Sequence, residues 1–311
     1  MCQKFSSTKQ ILTNYELIVN YSTLDIPRPL YLGNKIQRVC RFCGKNKNEV
    51  SFKKKAHVIP EGIGNKKLFS LSECDSCNSF YGNTIENDLN NLLSPYKLFF
   101  KIKGKKGINT VKPFKGKDRI EYAQDLNIFL ATLSKENITI DDENKTAIIK
   151  IQTQPFNLFS LYKCLLKIAI LLLPENELYN FAPSVQLLKG EIITHDPLFV
   201  EISNTHPLGI EHIEVYLFRR KKDYSQNPYI LFILIFRTFL FQINLHINHL
   251  DHNIKRKPTF FDSNFRTGKY GDDLIINCNN DLTSRITFSF NFKYETSKKL
   301  PEELNKRFKK N

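Results

Sequence analysis

Two short cysteine pairs, Cys40-Arg41-Phe42-Cys43 and Cys74-Asp75-Ser76-Cys77, constrain this chain more than any other feature. A CxxC turn brings two sulfurs to one point. Two such knuckles supply the four thiolates that tetrahedral zinc takes, so Cys40, Cys43, Cys74 and Cys77 are expected to hold one structural zinc. The chain has seven cysteines, and Cys2, Cys164 and Cys278 are solitary. Two close pairs and three strays do not make a disulfide framework. They fit a metal site in a reducing compartment.

The gap between the knuckles is longer than the roughly 15–20 residues of a plain zinc ribbon. It holds Ala56-His57-Val58-Ile59-Pro60 and a glycine-bearing turn, Gly62-Ile63-Gly64-Asn65. A short strand ending in His57, a loop, a second strand and a helix would fill it. Asn78 would then lie in the first turn of that helix, expected over Asn78–Leu93 and closed by Ser94-Pro95. Zinc would pin the helix start beside the His57 strand.

The stretch from Ala56 to Lys66 (AHVIPEGIGNK), followed by Glu73 to Asn78 (ECDSCN), resembles the HNH endonuclease superfamily, which has a ββα-metal fold. It looks closest to the subgroup that reads AHxIPExxGNK and then ECDxCN. The likeness covers about a fifth of the chain. The segment from Tyr162 to Ala169, continuing through Leu172-Leu173-Pro174-Glu175, is similar to one that follows such modules in bacterial proteins. The resemblance implies a metal-dependent endonuclease acting on nucleic acid, by analogy double-stranded DNA. His57 would deprotonate the attacking water, since its ordinary pKa of about 6.5 leaves it able to accept a proton near pH 7. Asn78 would help to hold one magnesium or manganese ion, and Asn65 would brace the loop and orient His57. Many members carry an acidic metal ligand just before the histidine. Here Ala56 stands there, so Glu61 is the nearest alternative oxygen donor.

Two rival functions follow from the same residues. Ala56 favours a zinc module that binds nucleic acid without cutting it. A nuclease gated by a ligand on the C-terminal part is the other, although no P-loop and no strand–GxGxxG–helix fingerprint is present. His246, His249 and His252 form an HxxHxxH run beside Asp251, read either as a second metal site or as a polar turn after a strand.

The 311 residues suggest an N-terminal segment (1–35), the module (36–95) and a larger α+β domain (96–311) that selects a target or senses a signal. A net charge of +15 points to a polyanionic partner. From Lys97 to Arg119, nine cations oppose the single acid Asp118, which reads as a basic hairpin or as a clamp on a phosphate backbone. Lys255–Tyr270 interleaves basic and aromatic side chains, as strand-binding segments do. The apolar runs Cys164–Leu173 and Tyr229–Ile243 are shorter than the roughly 20 residues a membrane span needs, and Lys167, Arg237 and Gln242 interrupt them. They read as core. The N-terminus shows no secretory pattern, so a cytoplasmic protein is expected. Strands are expected at Asn127–Leu133, Ala147–Thr153 and in five runs from Leu198 onward. Helices are expected over Asn157–Leu173 and, broken near Pro183, over Glu175–Leu188. The segment 1–35 shows no strong pattern, and Leu300–Asn311 reads as a basic amphipathic tail.

Overall fold

A computed structural model describes residues 13–104, 107–114, 116–204, 210–222, 227–251, 274–279 and 282–293. His206, His252, the Lys255–Tyr270 segment, the Leu300–Asn311 tail and Lys105, Lys106 and Lys115 lie outside them.

The chain enters through strand β1 (Tyr15–Ser22) and then builds the cysteine-bearing module. Strands β2 (Leu30–Leu32), β3 (Ala56–His57) and β4 (Leu68–Ser70) form a small sheet in the order β2-β4-β3. β3 runs antiparallel to β4, with His57 opposite Phe69, and β2 runs parallel to it. Gly33 follows β2 at φ +106, and a Cβ there would collide with the Ser72 hydroxyl. Only glycine lets the chain leave β2 so close to the end of β4.

Helix α1 (Asp75–Asn83) and helix α2 (Ile85–Leu92) replace the single helix expected over Asn78–Leu93. The break is Thr84, whose backbone leaves the helical region while its hydroxyl donates to the Phe80 carbonyl at 2.7 Å. That side-chain bond competes with the backbone ladder. Ser94-Pro95 does not end the helical path either. Pro95 opens helix α3 (Ser94–Phe99), in a first turn where its missing N–H satisfies nothing that is lost.

Helix α4 (Leu158–Leu172) matches expectation, and the Asn157 side chain caps it by accepting from the Ser160 N–H at 2.8 Å. Pro183 opens Ala182–Lys189 rather than breaking a helix, after a short helical turn over Glu175–Leu178. Strands β5 (Phe199–Asn204), β6 (Ile213–Arg220), β7 (Ile230–Phe236), β8 (Phe239–Asn244) and β9 (Leu274–Asn277) then join β1 in a six-stranded sheet. Its order is β1-β6-β7-β8-β5-β9, antiparallel throughout. The N-terminal segment thus contains an edge strand that its mixed composition concealed.

Every residue of β7 is buried, so the sheet is covered on both faces. Alternation sorts its side chains. Phe232, Leu234 and Phe236 share one core with α4 and with Cys40, Phe42, Val58 and Cys74 of the module, while Leu231, Ile233 and Ile235 belong to a second. Helix α4 therefore lies in a core common to the sheet and the module. The run Tyr229–Ile243 is a hairpin turning at Arg237, which adopts φ +56, and among the described residues no helix is long and apolar enough to cross a membrane. The expected strands at 127–133 and 147–153 appear as Ile128–Thr132 and Thr146–Gln152, the latter paired with Thr287–Lys293.

The basic stretch 97–119 is less uniform than its composition suggests. Lys97 lies in α3, with its ammonium donating to Asn90 Oδ1 at 2.9 Å, and burial lowers its pKa to about 8. Among the described residues Asp118 pairs with no lysine. It is buried and accepts hydrogen bonds from Ser134 and Asn137.

Candidate metal centre and active site

The four cysteine sulfurs lie within 4.8 Å of one another. Cys43 and Cys74 Sγ are 3.8 Å apart and all four residues are free thiols. A zinc–sulfur bond of about 2.3 Å implies a tetrahedron edge of roughly 3.8 Å, so the cluster fits a zinc ion. Cys40 and Cys74 are buried; Cys43 and Cys77 are partly exposed. Hydrogen bonding with Cys77 lowers the Cys40 thiol first of all, and the same contact raises Cys77. Four sulfurs this close cannot all shed their protons without a cation among them. The first knuckle is a tight turn, with the Gly44 N–H donating to the Cys40 carbonyl at 2.9 Å, and the second is the N-terminus of α1, with Cys74 at the cap. Asp75 fastens the approach to the His57 strand by accepting from the Ser51 hydroxyl and from the N–H groups of Lys53 and Lys54.

His57 ends β3, partly exposed, with its ring 4.8 Å from the Phe69 ring. The turn after it is locked from inside. Asn65 is fully buried. Its Nδ2 donates to the carbonyls of Ile59 and Leu68, both at 2.8 Å, and its Oδ1 accepts from the N–H groups of Lys67 and Leu68. One side chain thereby ties both arms of the hairpin. At Gly62 a Cβ would run into the Asn90 side chain on α2, so the turn also seats directly on that helix. Asn65→Ala is expected to cost about 2–4 kcal/mol, because backbone groups that it serves lose their partners in a dry interior. Urea denaturation reads the loss. An unchanged midpoint would rule out the bracing role.

Asn78 lies in the first turn of α1, partly exposed. Cys74 occupies the cap position, so Asn78 is not a helix cap. Glu61 is exposed on the single-turn helix Glu61–Ile63. Ala56 is buried and contributes no ligand. Among the described residues the four cysteines form the one group of three or more His, Cys, Asp or Glu side chains placed to hold a metal. His246 and His249 join no such group. They sit just after β8, where His246 hydrogen-bonds the Asn244 carbonyl and the nearby Asp251 braces Arg220, Asn248 and the Tyr229 N–H.

Two features escaped sequence reasoning. Arg41, between the first two cysteines, reaches the C-terminus of α4. Its Nη1 donates to the carbonyls of Ile170 and Leu173 at 2.7 Å, and its Nη2 pairs with Glu175. A guanidinium there satisfies helix-end carbonyls and opposes the negative end of the dipole. Deeper in, Lys167 of α4 sits between two module carboxylates, 2.6 Å from Glu86 and 3.1 Å from Glu73. Burial pushes Glu73 up to about 7 even though Lys167 opposes it, and both glutamates keep Lys167 charged against its own burial. The available signal was a lysine inside the run CLLKIAILLL, which demands an acidic partner once that run is buried.

A β-hairpin and a helix stapled by four thiols, with a histidine closing the first strand, define a ββα-metal module. Residues 40–94 match the model of an HNH endonuclease family, which identifies this part of the chain as an HNH module. No curated protein and no solved structure matches the chain.

Proposed function

We propose that the chain is a metal-dependent endonuclease whose active site is the module at residues 36–95, with residues 96–311 choosing the target or sensing a signal. The observation that carries this reading is a single frame that holds His57 at the end of β3, Asn65 inside the turn beyond it and Asn78 on the helix that the second knuckle begins. His57 takes the proton of the water that attacks the scissile phosphorus, a task for a neutral imidazole near pH 7. Asn65 holds the turn that orients it. Asn78 holds one magnesium or manganese ion, with Glu61 as the second candidate. Magnesium keeps several waters and takes one or two protein oxygens beside substrate phosphate, so a sparse donor set is adequate despite Ala56. When bound, that ion offsets charge on the phosphate and on the departing 3′ oxygen. The zinc thiolates stay outside the chemistry.

The substrate in this reading is DNA, cut to a 5′ phosphate and a 3′ hydroxyl. The setting is the cytoplasm, where thiols persist as metal ligands, and defence against foreign DNA is a role that suits it. The subgroup AHxIPExxGNK…ECDxCN is part of the same proposal. A nicking assay on supercoiled plasmid with magnesium or manganese tests it. His57→Ala is expected to lower the rate by about 10²–10⁴-fold while zinc content and thermal unfolding stay at the wild-type level. The buried Ala56 favours the rival, a zinc module that binds without cutting. Wild-type protein that is folded, zinc-loaded and inert on plasmid would support that rival.

A further inference from the structure

Beside the β2-β4-β3 sheet lies a small cleft, open to solvent. Its walls include Tyr31, Arg38, Lys53, Lys54, Lys55 and Glu73. Two features give it a chemical character.

The first is charge. Four cations line the cleft, and none of them makes a salt bridge among the described residues. The nearby acids are already engaged. Asp75 accepts three hydrogen bonds from residues 51–54, and Glu73 faces Lys167. Two of the cations are held in place, since Arg38 Nη1 donates to the Phe52 carbonyl at 2.9 Å and Lys54 Nζ donates to Ser79 Oγ at 2.7 Å. The loop that carries the lysines leads directly into β3, so the positive wall is built onto the strand that ends in His57.

The second is an aromatic row. Tyr31, Phe69 and His57 occupy matching register positions on β2, β4 and β3, hence one face of the sheet. Tyr31 stacks on Phe69 at 5.1 Å with 21° between the planes, and Phe69 in turn lies 4.8 Å from His57. Phe69 is buried, whereas Tyr31 keeps 41% of its surface exposed. Phe69 therefore supports one face of the tyrosine ring, and solvent reaches the remainder. A supported aromatic face one ring away from the histidine, with four cations nearby, has the chemistry of a platform for a base and its phosphates.

We infer that this cleft is a subsite for a nucleotide flanking the scissile phosphodiester, with its base stacked on Tyr31 and its phosphates held by Arg38 and Lys53–Lys55. The inference rests on the nuclease reading proposed above and narrows its substrate. A base inside an intact duplex has both faces covered by its neighbours. Only a base outside the stack, at a flap, bulge, nick or single strand, offers a face to Tyr31.

The test uses the full-length, zinc-loaded protein and fluorescein-labelled DNA of one sequence in three forms: single-stranded, duplex with a central bulge, and fully paired. Binding is read by anisotropy without magnesium or manganese, and cleavage separately with magnesium. The expected result is tighter binding and faster cleavage of the two forms with unstacked bases. Tyr31→Ala should lose on the order of tenfold in affinity for them, and Tyr31→Phe should restore it. Lys53→Ala and Lys55→Ala should each reduce the salt dependence of single-strand binding by about 0.7 in the log–log slope. Equal affinity of wild type and Tyr31→Ala for all three forms would overturn the subsite even if the plasmid is nicked. Tyrosine-dependent binding of the unstacked forms with no cleavage of any DNA would instead keep the subsite and overturn the nuclease.

Discussion

Removing zinc from the four-cysteine site, by chelation or by Cys74→Ser, is expected to unfold the module and to weaken the rest of the chain with it. Structural zinc contributes an apparent 10–16 kcal/mol in small zinc-folded peptides, more than the whole stability of a typical domain. The β2-β4-β3 strands are three residues long or shorter, and an isolated sheet of that kind does not hold itself together in water. The effect should spread because Cys40, Phe42, Val58 and Cys74 share one core with α4 and the large sheet. Losing the module strips cover from the α4 face that packs on α2 and frees the C-terminal carbonyls of α4 from Arg41. Elemental analysis should find one zinc per chain. Far-UV circular dichroism during chelation should show the loss of signal tracking the loss of zinc. A chelated protein with unchanged circular dichroism and unchanged urea midpoint would remove zinc from the account of this fold.

Lys167→Met is expected to cost about 3–5 kcal/mol, among the largest effects of any single substitution outside the cysteines. The ammonium is the only cation ion-paired with Glu73 and Glu86 among the described residues, and its side chain is 1% exposed. Methionine fills nearly the same volume, so the penalty is electrostatic, arising from carboxylates left in a dry interior without a counter-charge. A triple variant that adds Glu73→Gln and Glu86→Gln should recover most of the loss, since removing the whole charged group costs far less than removing one partner. Urea denaturation of the single and triple variants separates the terms. If the single variant is as stable as wild type, the ion cluster is not what holds α4 to the module.

The position of Lys167 also bears on the likeness of the Tyr162–Glu175 segment to one that follows such modules elsewhere. That segment is α4 and the residues just beyond it, and it meets the module through Lys167 and through Glu175, which pairs with Arg41. A stretch that looked like part of a separate domain supplies the surface on which the first knuckle and the two module helices rest.

Local chemistry was legible in the residues themselves. Two CxxC knuckles state a tetrahedral thiolate site whatever surrounds them, because each turn brings its own two sulfurs together. The strand ending in His57, the helix whose first turn carries Asn78 and the apolar stripe of α4 are similarly short-range, set by turns, caps and periodicity within a few residues. The same reasoning failed where a distant partner decided the outcome. Strand β1 is ordinary in composition and becomes a strand because β6 offers an open edge to pair with. The buried position of Lys167 is decided by Glu73 and Glu86, more than eighty residues away in the chain, and that of Asn65 by the four backbone groups its turn encloses. The aromatic row Tyr31–Phe69–His57 exists only because β2 adds parallel to β4, and parallel pairing leaves no signature in a three-residue strand. Bond geometry and nearest neighbours determined the metal knuckles and the principal helix from sequence. Long-range burial and pairing, whose free energies depend on which surfaces meet, were decided only by the tertiary structure.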